Sequence, residues 1–263
     1  EQLEVTKIYS VAGRTHRTED LIKEQPFRAP HHTASAASLI GGGSFPKPGE
    51  ISLAHRGVLF LDEFAEFSRS VLENLREPLE EGVVTVSRVR GSLLFPARFL
   101  LVAAMNPCPC GYAGDPEHAC SCSPYQVLQY KRKISGPILD RIDLHVDVPR
   151  VKLEKLQGSF DGAEPSEKAR KRVVGARERQ KERMREWNKK TNAEMDSRLL
   201  ERFCSIEQDV QTFLLQAAQS FKLSARGYSR VLKVARTIAD LAGEERVGLP
   251  HITEALSYRF RSE

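Results

Sequence analysis

Two short apolar runs set the frame for this chain. Val58-Leu59-Phe60-Leu61 stops at Asp62-Glu63, and Phe99-Leu100-Leu101-Val102-Ala103-Ala104 stops at Met105-Asn106-Pro107. Consecutive apolar residues over so short a span suit a strand buried on both faces, the habit of a parallel sheet. Between the runs, Ser68 is placed to cap a helix that carries Val71, Leu72, Leu75 and Leu79 at helical spacing, and Gly82 suits the position just past its end. Val83 to Arg88 then alternates, and Ser92 to Phe95 returns across a turn at Arg90-Gly91, which predicts a hairpin. Strand, helix, hairpin and strand in this order predict an α/β unit on a parallel sheet.

The flanks differ from this unit. Residues 1–25 read as helical and polar, and residues 26–57, rich in Gly, Pro, Ser and His, read as an ordered loop region. Residues 107–124 form a Cys/Pro/Gly loop, Tyr125 to Ser135 a helix, and Leu144 to Val148 alternates as a third strand closed by Pro149. Gly158 to Pro165 reads as a linker. From Ser166 to Lys190, eleven Lys and Arg stand against four Glu, a net +7, so the rest of this +5 chain sums to −2. That stretch predicts one long, solvated, basic helix with Val173, Val174, Met184 and Trp187 on its less polar side. Residues 194–263 carry helical periodicity alone. The expected organisation is an α/β domain over 1–150 and an all-helical domain over 151–263.

Composition removes several classes. With 40% apolar and 29% charged residues, the chain can build a packed core and is not expected to be disordered. It has no run of 18 apolar residues, so no membrane span is expected, and Glu1-Gln2-Leu3-Glu4 lacks the features of a secretory leader. Five cysteines, four of them clustered, fit a reducing, cytoplasmic setting and a metal site better than a disulfide framework. The chain opens without Met and as if inside a helix, and so reads as a fragment.

Several residue groups carry possible chemistry. Asp62 and Glu63 sit at the C-terminal end of a parallel strand, where ligands bind in open α/β sheets. There one carboxylate can hold Mg²⁺ while the other activates a water; the same pair can equally cap the segment that follows. Asn106, past the next strand, can contact a phosphate or a water, or satisfy its own turn before Pro107. Arg141, in Asp140-Arg141-Ile142-Asp143, can reach a phosphate of a neighbouring subunit or pair with Asp140 or Asp143. Cys108-x-Cys110 and Cys120-x-Cys122 can place four thiolates around one tetrahedral, structural Zn²⁺, with His118 as a substitute ligand, or stay as four reduced thiols. Arg226, at the start of a helix, can close over a nucleotide or lie on the surface. Arg88 and Arg90 near the hairpin tip, with the basic stretch 166–190, can contact nucleic-acid phosphates, although charge runs are commonly solvated faces. His31-His32 and Ser35 read as polar contacts of a loop.

The order of these signals is more specific than any of them. Phe27-Arg28-Ala29-Pro30-His31-His32-Thr33-Ala34-Ser35, Leu39-Ile40-Gly41-Gly42-Gly43, the Asp62-Glu63 strand, Asn106-Pro107-Cys108-Pro109-Cys110-Gly111, Ser135-Gly136-Pro137 with Asp140 to Leu144, and Ser224-Ala225-Arg226 with Ala235 to Leu241 together resemble the bacterial magnesium-chelatase-like AAA+ ATPases of the YifB/ComM, competence-associated type. The resemblance covers essentially the whole chain. It implies an AAA+ P-loop-type parallel sheet core, its N-terminal part missing, followed by a C-terminal all-helical lid. It implies ATP and Mg²⁺ as ligands, Asp62 and Glu63 as the Walker B pair, Asn106 as sensor 1, Arg141 as an arginine finger acting in trans, and Arg226 as sensor 2. The hairpin Val83–Phe95 and the segment Phe27–Gly49 resemble insertions that related ring ATPases point into a central pore. The implied function is ATP-driven remodelling of DNA, of branch-migration or helicase type, by a homo-oligomeric ring, a hexamer. Two other functions remain open: a chelatase-type motor acting on a protein or metal-insertion partner, and a non-catalytic, zinc-stabilised binding module. The family's P-loop, G-x-x-x-x-G-K-[ST], has no counterpart in this sequence; Gly13-Arg14-Thr15-His16 is not one. This chain alone is therefore expected to bind and hydrolyse ATP poorly or not at all.

Overall fold

A computed structural model describes residues 1–15, 21–43, 46–88, 91–149, 151 and 164–259. The chain divides into two compact units, Glu1–Arg141 and Ile142–Glu263. The change of unit thus falls after Arg141, whereas composition alone suggested residue 150.

The first unit opens with helix α1 (Gln2–Val11), whose Val5 and Ile8 are buried. The helix expected over residues 1–25 is therefore confined to its first half among the described residues: Gly13 turns with a positive φ of 71° and Leu21 to Pro26 has no regular structure. The loop expected over 26–57 is more structured than its composition suggested. It holds strand β1 (Phe27–Arg28), α2 (Ala36–Ile40), the two-residue strands β2 (Gly41–Gly42) and β3 (Lys47–Pro48), and α3 (Glu50–Leu53). Ser35 caps α2, its side chain accepting from the Ser38 N–H at 3.1 Å.

Strand β4 (Val58–Leu61) lies between β1 and a later strand. Val58 pairs with Phe27, and the Val58 N–H donates to the Pro26 carbonyl at 2.8 Å. That approach leaves no space at Gly57, where any side chain would collide with the Pro26 backbone. The expected helix from Ser68 is present but broken into α4 (Arg69–Glu73) and α5 (Arg76–Glu81). The break has a cause in the sequence: Pro78 has no N–H to give the carbonyl of Asn74. Ser68 caps the first piece, and Gly82, at φ 68°, ends the second. The hairpin follows as β5 (Val83–Arg88) and β6 (Gly91–Pro96), antiparallel from Val83↔Pro96 to Arg88↔Gly91. Arg90 lies outside the described residues, and of Arg88 only the backbone belongs to them.

Strand β7 (Leu100–Ala103) completes a parallel sheet in the order β1-β4-β7, with Val58↔Leu100 through Leu61↔Ala103. The two expected parallel strands are thus neighbours. The expectation that both are buried on both faces is corrected. Leu59 and Leu61 are buried on one face, but on the other Phe27 and Leu100 are each 62% exposed and Val102 is 40% exposed. Phe27 and Phe60 stack across that open face with centroids 6.2 Å apart. Helix α6 (Pro124–Lys131), capped reciprocally by Ser123 and Gln126, and α7 (Gly136–Leu139) close the unit.

In the second unit, Leu144–Val148 is not a strand. Leu144, Val146 and Val148 are exposed, and the His145 N–H donates to the Tyr258 carbonyl at 2.7 Å rather than to a strand. Alternation signals a strand only where another strand accepts its hydrogen bonds. The basic stretch forms α8 (Ser166–Arg183), which ends before the expected Lys190 and is followed by a short 3₁₀ turn at Arg185–Trp187. Val173 and Val174 are exposed, whereas Met184 is fully buried. Residues 158–163 of the expected linker lie outside the described residues.

Helices α9 (Ser197–Phe203), α10 (Gln208–Ser220), α11 (Ala225–Ala242) and α12 (Leu249–Ser257) supply the periodicity read in the sequence. Their core includes Leu214, Val231, Ala235, Ala239 and Ile252, all fully buried. A polar centre joins them: Asp240, fully buried, accepts from Arg183 through both carboxylate oxygens, from Asn192 Nδ2 at 2.8 Å and from Arg236 Nε at 3.2 Å. Arg236 also donates to the carbonyls of Glu244 and Glu245 at 2.5 and 2.6 Å. Burial pushes the Asp240 carboxyl pKa up, but the donors from Arg183 and Asn192 and the charges of Arg183 and Arg236 outweigh it, so the net shift is downward.

Candidate nucleotide-hydrolysis edge and cysteine cluster

The register between β4 and β7 decides where the acidic pair lies. Because Leu61 pairs with Ala103 in a parallel ladder, the chain leaves both strands at one edge. Two further bonds continue the alignment: the Ala104 N–H donates to Leu61 O at 3.0 Å, and the Phe64 N–H donates to Ala104 O at 2.9 Å. Asp62 and Glu63 therefore emerge beside Ala104, and Asn106 follows two residues later. All three side chains are exposed. The sequence points to each separately; the sheet brings them to one edge.

The turn at this edge is unusual. Glu63 adopts a left-handed backbone conformation, φ 51° and ψ 45°, which costs a residue with a Cβ roughly 1–2 kcal/mol. Its N–H donates to Asp62 Oδ1 at 2.9 Å, leaving Asp62 Oδ2 for another partner. Phe64 and Ala65, buried directly behind, anchor the turn.

One neighbour of Glu63 reads in the sequence only as a polar contact of a loop. His32 Nδ1 lies 2.6 Å from Glu63 Oε2. The signal that would have found it is β1, which is only two residues long. Once β1 is known to run parallel to β4, the segment after Arg28 must reach the same edge as Asp62-Glu63.

Arg141 lies away from solvent. Its side chain is 4% exposed, pairs with Glu80 Oε1 at 2.6 Å, and donates to the Pro137 carbonyl at 2.5 Å. Its partner is thus neither Asp140 nor Asp143 but a residue of α5. Asp143 is instead paired with Arg230 within the second unit. Arg226 lies exposed in the first turn of α11, whose cap is Ser224.

The four clustered cysteines converge. The sulfurs of Cys108, Cys110, Cys120 and Cys122 all lie within 4.8 Å of one another. The Cys108–Cys110, Cys110–Cys120 and Cys108–Cys120 separations are 3.4, 3.5 and 3.7 Å. A tetrahedral zinc with Zn–S bonds of about 2.3 Å sets its sulfurs about 3.8 Å apart, so the set has the size of a Cys₄ site. His118 is not part of it; that ring stacks on Tyr112 at 5.2 Å.

Sequence comparisons agree with this layout. A family model described as magnesium chelatase, subunit ChlI, matches residues 1–156, and one for the ChlI C-terminal region matches 163–259. The chain belongs to the magnesium-chelatase ChlI family. Within it, the chain is 50% identical over 238 residues to the competence protein ComM of Haemophilus influenzae, covering 90% of this chain and 45% of that protein. It is 45% identical to YifB of Escherichia coli over 90% of this chain and 46% of that one. The magnesium-chelatase 38 kDa subunit of Rhodobacter capsulatus is 26% identical, over 82% of this chain and 56% of that one. The chain spans about half the length of these curated relatives. Membership fits the observed architecture: an AAA+ α/β core with a helical region after it, in a family of ATPase-like proteins whose members oligomerise. No described helix is long and apolar enough to cross a membrane.

Proposed function

We propose that this chain supplies the hydrolytic edge and helical lid of a ring-forming AAA+ ATPase that remodels DNA. The observation that carries the reading is the placement of Asp62, Glu63 and Asn106 at one edge of neighbouring parallel strands. Exposed carboxylates are the hard oxygen donors that Mg²⁺ selects, and Asp62 keeps one oxygen available for it. When bound, Mg²⁺ neutralises phosphate charge. Glu63 then polarises the attacking water, and Asn106 orients that water or the γ-phosphate. Arg226 binds phosphate, and Arg141 acts on the nucleotide of an adjacent subunit after giving up Glu80. The P-loop that cradles phosphates is absent from this sequence, so turnover is assigned to the full-length protein. The open apolar face of Phe27, Leu100 and Val102 supports this, because parallel sheets are covered on both sides.

The four cysteines hold a structural zinc in this reading, fixing the loop between Asn106 and α6. The donor set, four sulfurs with no histidine, is that of a closed structural site.

DNA is the proposed partner on the strength of the likeness to the competence protein and of the basic helix α8, with the hairpin bearing Arg88 and Arg90 as the contacting element. The family's chelatase members favour a second reading, a motor acting on a protein or metal-insertion partner. ATPase assay of the full-length protein with and without forked DNA separates them. Stimulation that falls steeply with salt supports DNA; turnover indifferent to DNA supports the chelatase-type motor. Absence of ATPase activity with a P-loop present would leave a zinc-stabilised binding module. The proposed location is the cytoplasm.

A further inference from the structure

His32 is held on two sides. Its ring lies against that of His31, centroids 4.1 Å apart, and edge-on to the buried Phe67 at 6.5 Å. His31 is itself fixed, its Nδ1 accepting from the Thr33 N–H at 3.3 Å and lying 2.9 Å from the Thr33 hydroxyl. This stack presents His32 Nδ1 to Glu63 Oε2 at 2.6 Å. An ionised carboxylate only accepts, so at this distance Nδ1 carries the proton. On the other side of the pair, Glu63 holds a left-handed backbone conformation that a residue with a Cβ rarely adopts. Two independent features, a strained backbone and a packed histidine, thus determine where one carboxylate goes.

We propose that His32 is the positioning residue of Glu63. It occupies Oε2 and leaves Oε1 for the water, so the carboxylate does not swing into solvent. An ordinary loop contact would not need a ring packed from both sides, nor a partner in a conformation that glutamate rarely adopts. The inference rests on the reading of Glu63 as the residue that polarises water, and extends it to a second segment of the chain, the loop after β1.

The test uses the full-length ATPase and three substitutions. His32→Ala should lower kcat about 10²-fold, the effect of a misplaced reacting group, with KM for ATP changed less than about 3-fold. Asn carries an amide nitrogen where Nδ1 sits, and Gln carries one nearer Nε2. His32→Asn should therefore restore most of kcat and His32→Gln should not, a distinction that mere loss of packing does not produce. Thermal unfolding of each variant reports folding, and the Asn-to-Gln comparison decides the matter even if His32→Ala is unstable. Unchanged kcat in His32→Ala, or equal rescue by Asn and Gln, overturns the proposal. Glu63→Gln is measured beside them: if it retains turnover, the reading of Glu63 fails; if it abolishes turnover while His32→Ala does not lower kcat, only the role of His32 fails.

Discussion

Leu61 pairs with Ala103 across two parallel strands, and that one register brings an acidic pair and an asparagine, more than forty residues apart in sequence, to the same edge of the sheet. A slip of the ladder would separate them. Gly57 guards the start of β4, where the Pro26 backbone leaves no space for a side chain. Gly57→Val should therefore push β1 and β4 apart and destabilise the first unit by more than about 1 kcal/mol, the upper range of an ordinary surface change being about half that. Chemical denaturation of wild type and variant measures the difference.

The trans role of Arg141 has a test that does not depend on its resting partner. Arg141→Ala and Glu63→Gln should each abolish turnover in the full-length protein, removal of such an arginine costing about 10³-fold or more. Mixed rings of the two variants contain interfaces where an intact Glu63 meets an intact Arg141, so mixing should restore part of the activity. If Arg141 acts within its own subunit, or only ties α7 to Glu80, mixed rings stay inactive.

Much of this arrangement is legible in the sequence, and the exceptions have physical causes. The strands ending at Leu61 and Ala103, the hairpin and the helices of the second unit all follow from local periodicity. Strand β1 is not legible there, because two residues carry no period. Leu144–Val148 alternates as a strand does, yet alternation says nothing about whether a partner exists. The split of the helix after Ser68 follows from Pro78, a local signal that the apolar spacing concealed. The contacts of the site, His32 with Glu63 and Glu80 with Arg141, join segments distant in sequence and become visible only once the sheet is assembled.

The cysteine cluster predicts a metal content. Purified protein should carry about one equivalent of zinc, and Cys108→Ala with Cys120→Ala should remove it and lower the unfolding temperature, since metal binding contributes to folding. Elemental analysis and thermal unfolding measure both. A folded, metal-free wild type with unchanged stability after chelation contradicts the site.

Asp240 gives the second unit a pH-sensitive centre. Its folded carboxyl pKa is lowered, so its contribution to stability is present above the unfolded value of about 4 and is lost as pH falls through the lower folded value. Asp240→Ala should cost about 3–5 kcal/mol at neutral pH, because Arg183 and Arg236 would be left without their carboxylate. The cost should shrink below about pH 4. Denaturation of wild type and variant at neutral and acid pH checks both the size and the sign.

The most direct measurement is nucleotide binding and turnover by Glu63→Gln in the full-length protein. If Glu63 polarises the attacking water, ATP affinity stays close to wild type and turnover falls to background, because the amide keeps the shape of the carboxylate but cannot take a proton from water. Turnover near the wild-type rate would contradict it.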